Sequence, residues 1–422
     1  MRNAIEGGLT KTRTWRFWLV LPVQWRFTIS KVVHCTRGAY VTRLFTNGKV
    51  ILEDKIIENG SVLEEDGLIK EIFTDRIDIP ADEMIDANGL YISPGFIDTH
   101  LHGGGGYDVM DADADGLVEI ARIHRKHGCT AFLATTLTAP TEQIQAAIRN
   151  VHKVMNSDYN GARILGIHLE GPCFSMKFKG AQNPKYLALP SPELFDQFDQ
   201  GLGIIRRISM APELKGAFEA AKAYASKGVN ISIAHSEADF ACVKESVRHG
   251  FSHITHMYNG MSYLISPDYY CQAGVAEAGL LLDELTVEVI ADGKHMPPEI
   301  LQLIYKCKGP DRMLLTTDAT RPTNMPEGKY DLSGLDVLVT DGVAMLTDHT
   351  SFAGSVATCD KLLRFAYKEC GFKLHEAVKM ASLNHAKIIN MDHEIGSIKR
   401  GKRADIILFD DDIHVVYTPS QT

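Results

Sequence analysis

Eight short apolar runs beyond Pro94, alternating with stretches of helical periodicity, constrain this chain more than any other feature. The runs are Phe96–Thr99, Ala131–Thr136, Ile164–Leu169, Ile205–Met210, Asn230–Ala234, His253–Thr255, Val287–Ile290 and Met313–Thr317. Helical patterns lie among them at Leu117–His127, Thr141–Met155, Pro212–Lys227, Glu237–Arg248 and Pro297–Lys306. Such alternation marks βα units and a parallel sheet. Eight units predict an α/β fold, a (β/α)8 TIM barrel, over residues 94–383. Ser236 after the fifth run, with Asp239 three residues on, predicts a helix N-cap with an acidic partner. Gly128 and Gly250 predict helix ends.

Before Pro94 the texture differs. Leu44–Leu52, Gly60–Leu63, Gly67–Ile72 and Asp86–Ile92 read as short strands punctuated by Asn-Gly and Asp-Gly turns. After the eighth run, Gly334–Leu338 and Val343–Leu346 flank Thr340-Asp341-Gly342 as a hairpin, and helices are expected at Ser355–Cys370 and Leu374–Leu383. Ile395 to Asp410 returns to strand character. These pieces predict a small β-sandwich domain built from both chain ends, residues 43–93 and 384–422, with the barrel inserted between them. Residues 1–42 carry Arg2, Lys11, Arg13, Arg16, Arg26, Lys31 and Arg37 against Glu6. Phe17–Val23 is too short and too soon interrupted to serve well as a signal peptide. We expect a non-structural extension, with the folded chain starting near Tyr40.

With 45% apolar and 23% charged residues, the 422-residue chain has the means for a large buried core. A net charge of −9 argues against nucleic acid as a partner, and no apolar run approaches the length of a membrane span. The eight cysteines are scattered without a CxxC pair, as expected of a reduced, cytoplasmic protein.

A barrel of this kind carries its chemistry at the C-terminal ends of its strands. Those ends hold His100 and His102 (first run), Glu170 (third), His235 (fifth), His256 (sixth) and Asp318 (eighth). Residues i and i+2 of a strand share a side, so His100 and His102 present two imidazoles to one point. Gly103 to Gly106 let the backbone turn sharply beside them. Four imidazoles and two carboxylates predict one or two divalent ions, Zn²⁺ first, with Fe²⁺ or Mn²⁺ as alternatives. Glu170 is placed to bridge an ion on His100 and His102 to one on His235 and His256. Asp318 is placed to take a proton from an activated water and pass it to a leaving amine. His168 and His253 read as structural histidines, and Cys173 has no base beside it and receives no role.

The motifs Pro94-Gly95-Phe96-Ile97-Asp98-Thr99-His100-Leu101-His102-Gly103, Gly166-Ile167-His168-Leu169-Glu170-Gly171-Pro172, Ala234-His235-Ser236, Thr255-His256-Met257-Tyr258-Asn259-Gly260-Met261, Ala291-Asp292-Gly293-Lys294-His295 and Thr317-Asp318-Ala319-Thr320 occur in this order. Together they resemble the N-acetylglucosamine-6-phosphate deacetylase family of the amidohydrolase superfamily, from roughly Leu44 to Asp410. The resemblance implies release of acetate from the sugar's N-acetyl group, metal ligation by Glu170, His235 and His256, and catalysis by Asp318. It also implies substrate contacts at Ala181, Asn259, Gly260, His295, Phe352, Ala353 and Gly354, and a homodimer. Retention of His100 and His102 implies the two-metal type.

Two positions depart from the family pattern. The arginine that binds the sugar phosphate has no counterpart in Ser262–Tyr270, and Gln182 stands where the family has a histidine. The remaining candidates for the phosphate are the amides near Asn259-Gly260, Lys177, Lys179, Lys185, Lys294, or an arginine of a second subunit. The alternative substrate is another N-acyl compound or a cyclic amide without phosphate. Cyclic-amide hydrolases of the dihydroorotase type bridge their metals with a carbamylated lysine, and Glu170 argues against that branch. A non-catalytic relative with a decayed site is argued against by the intact six-residue set.

Overall fold

The structure is a computed structural model that describes residues 41–265 and 269–419. The extension expected over 1–42 lies, but for its last two residues, outside the described residues. Eight parallel strands form one curled sheet in chain order: Phe96–Leu101, Cys129–Thr135, Arg163–Glu170, Ile205–Met210, Asn230–Ile233, Phe251–Ile254, Thr286–Val289 and Met313–Leu315. Each matches one apolar run. The first two are buried along their whole length, because neighbouring helices cover one face and the barrel interior the other. The barrel closes between its last and first strands. The Asp318 amide donates to the His100 carbonyl (3.0 Å) and the His102 amide to the Ala319 carbonyl (2.8 Å). Asp98 reinforces the seam, accepting from the Thr316 hydroxyl (2.8 Å) and the Thr317 amide (3.1 Å).

Helices Ala114–Lys126, Thr141–Met155, Ala217–Ala225, Phe240–Val247 and Pro298–Lys308 occupy the five expected stretches. Two more, Pro192–Asp199 and Val275–Leu281, escape the sequence pattern because they are too short to show a periodic face. The cap of Phe240–Val247 is Asp239, which accepts from the Cys242 amide at 2.8 Å. Ser236, the expected cap, instead donates its hydroxyl to Glu213 (2.7 Å) in the preceding loop. Gly128 and Gly250 follow helix ends in left-handed conformation, φ 82° and 102°.

The second unit is one seven-stranded sheet: Thr42–Ile51, Ile56–Glu65, Leu68–Phe73, Glu83–Asp86, Tyr91–Pro94, Ile406–Phe409 and Val415–Tyr417. Ile406–Phe409 lies antiparallel to Tyr91–Pro94, Ile407 opposite Ser93, which joins the two chain ends. Phe45, Val50, Val62, Ile92, Ile406 and Leu408 form its core. The expected hairpin, Leu335–Thr340 with Val343–Leu346, gains a third strand, Gly328–Leu332. Helix Leu383–Ile388 spans the boundary expected between 383 and 384. Ala386 packs with Ile97, Ala131, Leu133 and Leu165 of the barrel, so the chain after 383 stays with the barrel before it returns to the sheet.

Candidate active site

All six polar residues foreseen at the strand ends lie on one end of the barrel. Glu170 closes the third strand, His235 and His256 stand two residues beyond Ile233 and Ile254, and Asp318 three beyond Leu315. None is more than 8% exposed. His235, His256 and Asp318 have φ of 45°, 27° and 48°, a left-handed backbone that side-chain-bearing residues rarely adopt. Such turns cluster where function holds them.

The donor atoms meet at ligand spacing. His100 Nε2 lies 3.2 Å from His102 Nε2 and 3.3 Å from Glu170 Oε1, and His102 Nε2 lies 3.3 Å from Glu170 Oε2. On the other side, His256 Nε2 lies 3.2 Å from His235 Nε2 and 3.3 Å from Glu170 Oε1. A tetrahedral ion with nitrogen bonds of ~2.0–2.1 Å sets its ligands about 3.3 Å apart, so these separations fit one ion in each group. The groups His100/His102/Glu170 and Glu170/His235/His256 are each able to hold a metal, and they share Glu170. Asp318 Oδ1 lies 3.2 Å from His102 Nε2 and 3.3 Å from His100 Nε2, beside the first group.

Neighbouring groups aim the rings. His100 donates Nδ1–H to Glu288 Oε1 (2.7 Å) and His235 donates Nδ1–H to the Phe178 carbonyl (2.8 Å), leaving Nε2 of each free to ligate. A Cβ on Gly260, φ 56°, would stand 2.7 Å from His235 Nδ1, so only glycine fits there. Gln182, buried, donates to Glu170 Oε2 (2.9 Å) and accepts from the Thr138 amide (2.8 Å). The residue that departs from the family pattern therefore holds the shared carboxylate in place.

The electrostatics call for positive charge. Burial alone would raise the Glu170 carboxyl, but His100, His102 and His235 overturn it and hold it well below the usual range. Burial likewise opposes protonation of His102, yet hydrogen bonds with Asp318 and Glu170 push it up to about 9. A divalent cation held there would supply positive charge to those carboxylates.

Of the remaining candidates, His295 donates Nδ1–H to Asp292 (2.9 Å) and packs its ring 4.6 Å from that of Phe352. Gly354, φ 60°, lies against Asp318, where a Cβ would come 2.6 Å from the Asp318 carbonyl oxygen. Ala353 is buried, and Ala181 follows Gly180, which lies against the His235 ring. The Asn259 amide group donates to the His256 and Met257 carbonyls (3.2 and 3.3 Å), so its side chain shapes the turn. Lys179 is half-buried with Nζ on the Gly180 carbonyl (3.2 Å), while Lys177, Lys185 and Lys294 are exposed. Tyr263, Leu264, Ile265, Tyr269 and Tyr270 are each more than half exposed.

Beneath the site lies a polar layer that sequence reasoning missed. Arg207 and Glu288, both fully buried, pair at 2.6 Å inside the barrel. The signal available was charge inside two otherwise apolar strands, Arg206-Arg207 in one, of which only Arg207 is buried, and Glu288 in the other. His168 donates to or accepts from Ser209 (2.7 Å) and His253 pairs with Thr286 (2.7 Å), both as structural histidines.

A model of the amidohydrolase family matches residues 91–421. An N-acetylglucosamine-6-phosphate deacetylase of Vibrio furnissii is 35% identical over 390 residues, 91% of this chain and 93% of that protein. An N-acetylgalactosamine-6-phosphate deacetylase of Escherichia coli O157:H7 is 32% identical, covering 89% and 97%. Among solved structures, the N-acetylglucosamine-6-phosphate deacetylase of Pasteurella multocida aligns with TM-score 0.83 and 28% identity, over 90% of this chain and 98% of that one. Among the described residues, no helix is long and apolar enough to cross a membrane.

Proposed function

Since the chain belongs to the amidohydrolase family, we propose that it deacetylates N-acetylglucosamine-6-phosphate, giving glucosamine-6-phosphate and acetate. The observation that carries this reading is the pair of metal-holding groups sharing Glu170, with Asp318 Oδ1 3.2–3.3 Å from the first pair of imidazoles. His100, His102 and Glu170 would hold one ion, and Glu170, His235 and His256 a second. Zinc suits the nitrogen-rich set best, with iron or manganese as substitutes. When bound, the metal supplies Lewis acidity to the acyl group and acidity to water.

The chain's own groups do the rest. Asp318 takes the proton of the attacking water and delivers it to the amine as the C–N bond breaks. His295, held by Asp292 and Phe352, would contact the reacting end of the substrate. The tight loops at Gly180-Ala181, Asn259-Gly260 and Phe352–Gly354 line the sugar. The same reading makes the protein a cytoplasmic enzyme, supported by its scattered cysteines, and a homodimer, supported by the exposed apolar stretch Tyr263 to Ile265 with Tyr269 and Tyr270.

The second reading, an N-acyl substrate without phosphate, is favoured by that same stretch, which offers aromatic surface and no cation among its described residues. A missing charge-assisted hydrogen bond is worth about 1.5–3 kcal/mol, or roughly ten- to hundred-fold. We expect metal-reconstituted protein to prefer the 6-phosphate by a correspondingly modest factor. The test is kcat/KM for N-acetylglucosamine, its 6-phosphate, and the galacto epimer of each. Faster turnover of an unphosphorylated sugar overturns the phosphate reading.

A further inference from the structure

Glu288 touches both metal-holding groups without belonging to either. It sits on the seventh strand, Thr286–Val289, fully buried. Its Oε1 accepts two hydrogen bonds, from His100 Nδ1–H (2.7 Å) and from the backbone amide of His256 (3.0 Å). Its Oε2 accepts from Arg207 Nη1 (2.6 Å) and faces His253 Nε2 (3.4 Å). Arg207 is itself locked from three sides, donating Nε–H to Ser232 (3.0 Å), Nη2–H to Thr255 (2.8 Å) and Nη1–H toward the Thr99 carbonyl (3.4 Å).

A buried guanidinium and carboxylate are expensive to desolvate, and an apolar pair of like volume is often as stable. Stability alone does not explain this pair. What an apolar pair cannot do is present one oxygen to two donors on different strand ends. Resting on the two-metal reading above, we propose that Glu288, oriented by Arg207, is a positioning residue that couples the two metal groups. It fixes His100 as the Nδ1–H tautomer, leaving Nε2 for the ion, and it grips the His256 turn, which sets the second group relative to the first.

With the Arg207 guanidinium on Oε2, only a carboxylate has a second oxygen left for His100. In Glu288→Gln the amide oxygen turns to the Arg207 guanidinium, and the NH₂ faces His100 Nδ1 and the His256 amide. His100 Nδ1 must then accept, its proton moves to Nε2, and Nε2 no longer ligates. Removing the guanidinium as well, in Arg207→Met/Glu288→Gln, frees the amide oxygen to take the His100 Nδ1–H again.

The experiment titrates zinc into chelator-stripped full-length wild type, Glu288→Gln and the double variant, with thermal unfolding of each. Wild type is expected to bind two ions. Glu288→Gln is expected to lose about ten- to hundred-fold in affinity for one ion and much less for the other, as loss of a ligand's hydrogen-bond partner does. The double variant is expected to regain most of that loss, which a purely structural role would not produce. Equal affinities in wild type and Glu288→Gln, or a double variant as weak as the single, overturn the proposal. Should Glu288→Gln not fold, a weakened site in the double variant still overturns the proposal, and the tautomer of His100 in wild type decides otherwise. Histidine-selective ¹⁵N spectra of zinc-loaded wild type test the tautomer with no variant at all: a proton on His100 Nε2 rather than Nδ1 overturns it. Wild type that binds no ion fails the metal reading itself, an outcome distinct from two ions held independently of Glu288.

Discussion

Replacing Asp318 by asparagine separates proton transfer from every other task at the site. The residue is 8% exposed, and its left-handed backbone, φ 48°, is one that asparagine tolerates well. Its amide donates to the His100 carbonyl (3.0 Å), and its own carbonyl accepts from the Ser355 amide (2.7 Å). These bonds hold the main chain whatever the side chain is. Asparagine also keeps an oxygen able to face His100 and His102. What it lacks is a basic oxygen, so the loss should fall on the chemical step. Removing a positioned general acid/base lowers rate by about a hundred- to ten-thousand-fold, or ~2.7–5.4 kcal/mol of barrier. Acetate release under saturating substrate gives kcat, and elemental analysis of the same samples gives metal content. We expect kcat to fall by that factor with KM within a few-fold and metal content unchanged. Near-normal turnover would refute the proton-carrying role, and loss of an ion would reassign Asp318 as a ligand.

Changing His100 and His102 together to alanine should leave one ion on Glu170, His235 and His256; fully reconstituted wild type that never exceeds one ion by elemental analysis refutes the two-ion reading. Acid should weaken the fold through histidines that are buried neutral. Burial holds His124 and His385 down to about 4, whereas in the unfolded chain both titrate near 6.5. Below 6.5 the unfolded state therefore binds more protons, and stability falls with pH until about 4. At pH 5 the loss is about 2 kcal/mol per histidine, and equal denaturant midpoints at pH 7 and pH 5 would refute this.

The barrel was legible because its strands are covered on both faces. Cys129–Thr135 is buried at every residue, and such a strand must read as an unbroken apolar run. Helices were legible in proportion to the face they bury. Thr141–Met155 buries Ile144, Ala147, Ile148, Val151 and Val154 at helical spacing, while Pro192–Asp199 buries only Phe195 and Phe198. Two residues define no period. The boundary near 383 was illegible for a different reason: Leu383–Ile388 is tied to the barrel by contacts with distant strands, Ala386 packing with Ile97 and Ala131, and Asn384 and His385 donating to the Met313 and Leu315 carbonyls.

The site divides along the same physical line. His100, His102, Glu170, His235, His256 and Asp318 announce themselves because each interrupts an apolar run where a strand ends, and one barrel has a single such end. Arg207 and Glu288 interrupt runs as well, but in mid-strand, where a charge pointing outward between helices and one pointing inward look alike. Their partnership joins the fourth strand to the seventh, and no spacing within either run encodes it. Gln182 is harder still, since its loop has no periodicity and its bond to Glu170 exists only once Thr138, 44 residues away, supplies the other half of its amide's hydrogen bonding. Polar residues gathered at strand ends can thus be read from pattern alone. The groups that aim those residues depend on contacts between distant strands and loops, which is why substitutions at Glu288 or Gln182 test the folded site more sharply than substitutions at the strand-end residues themselves.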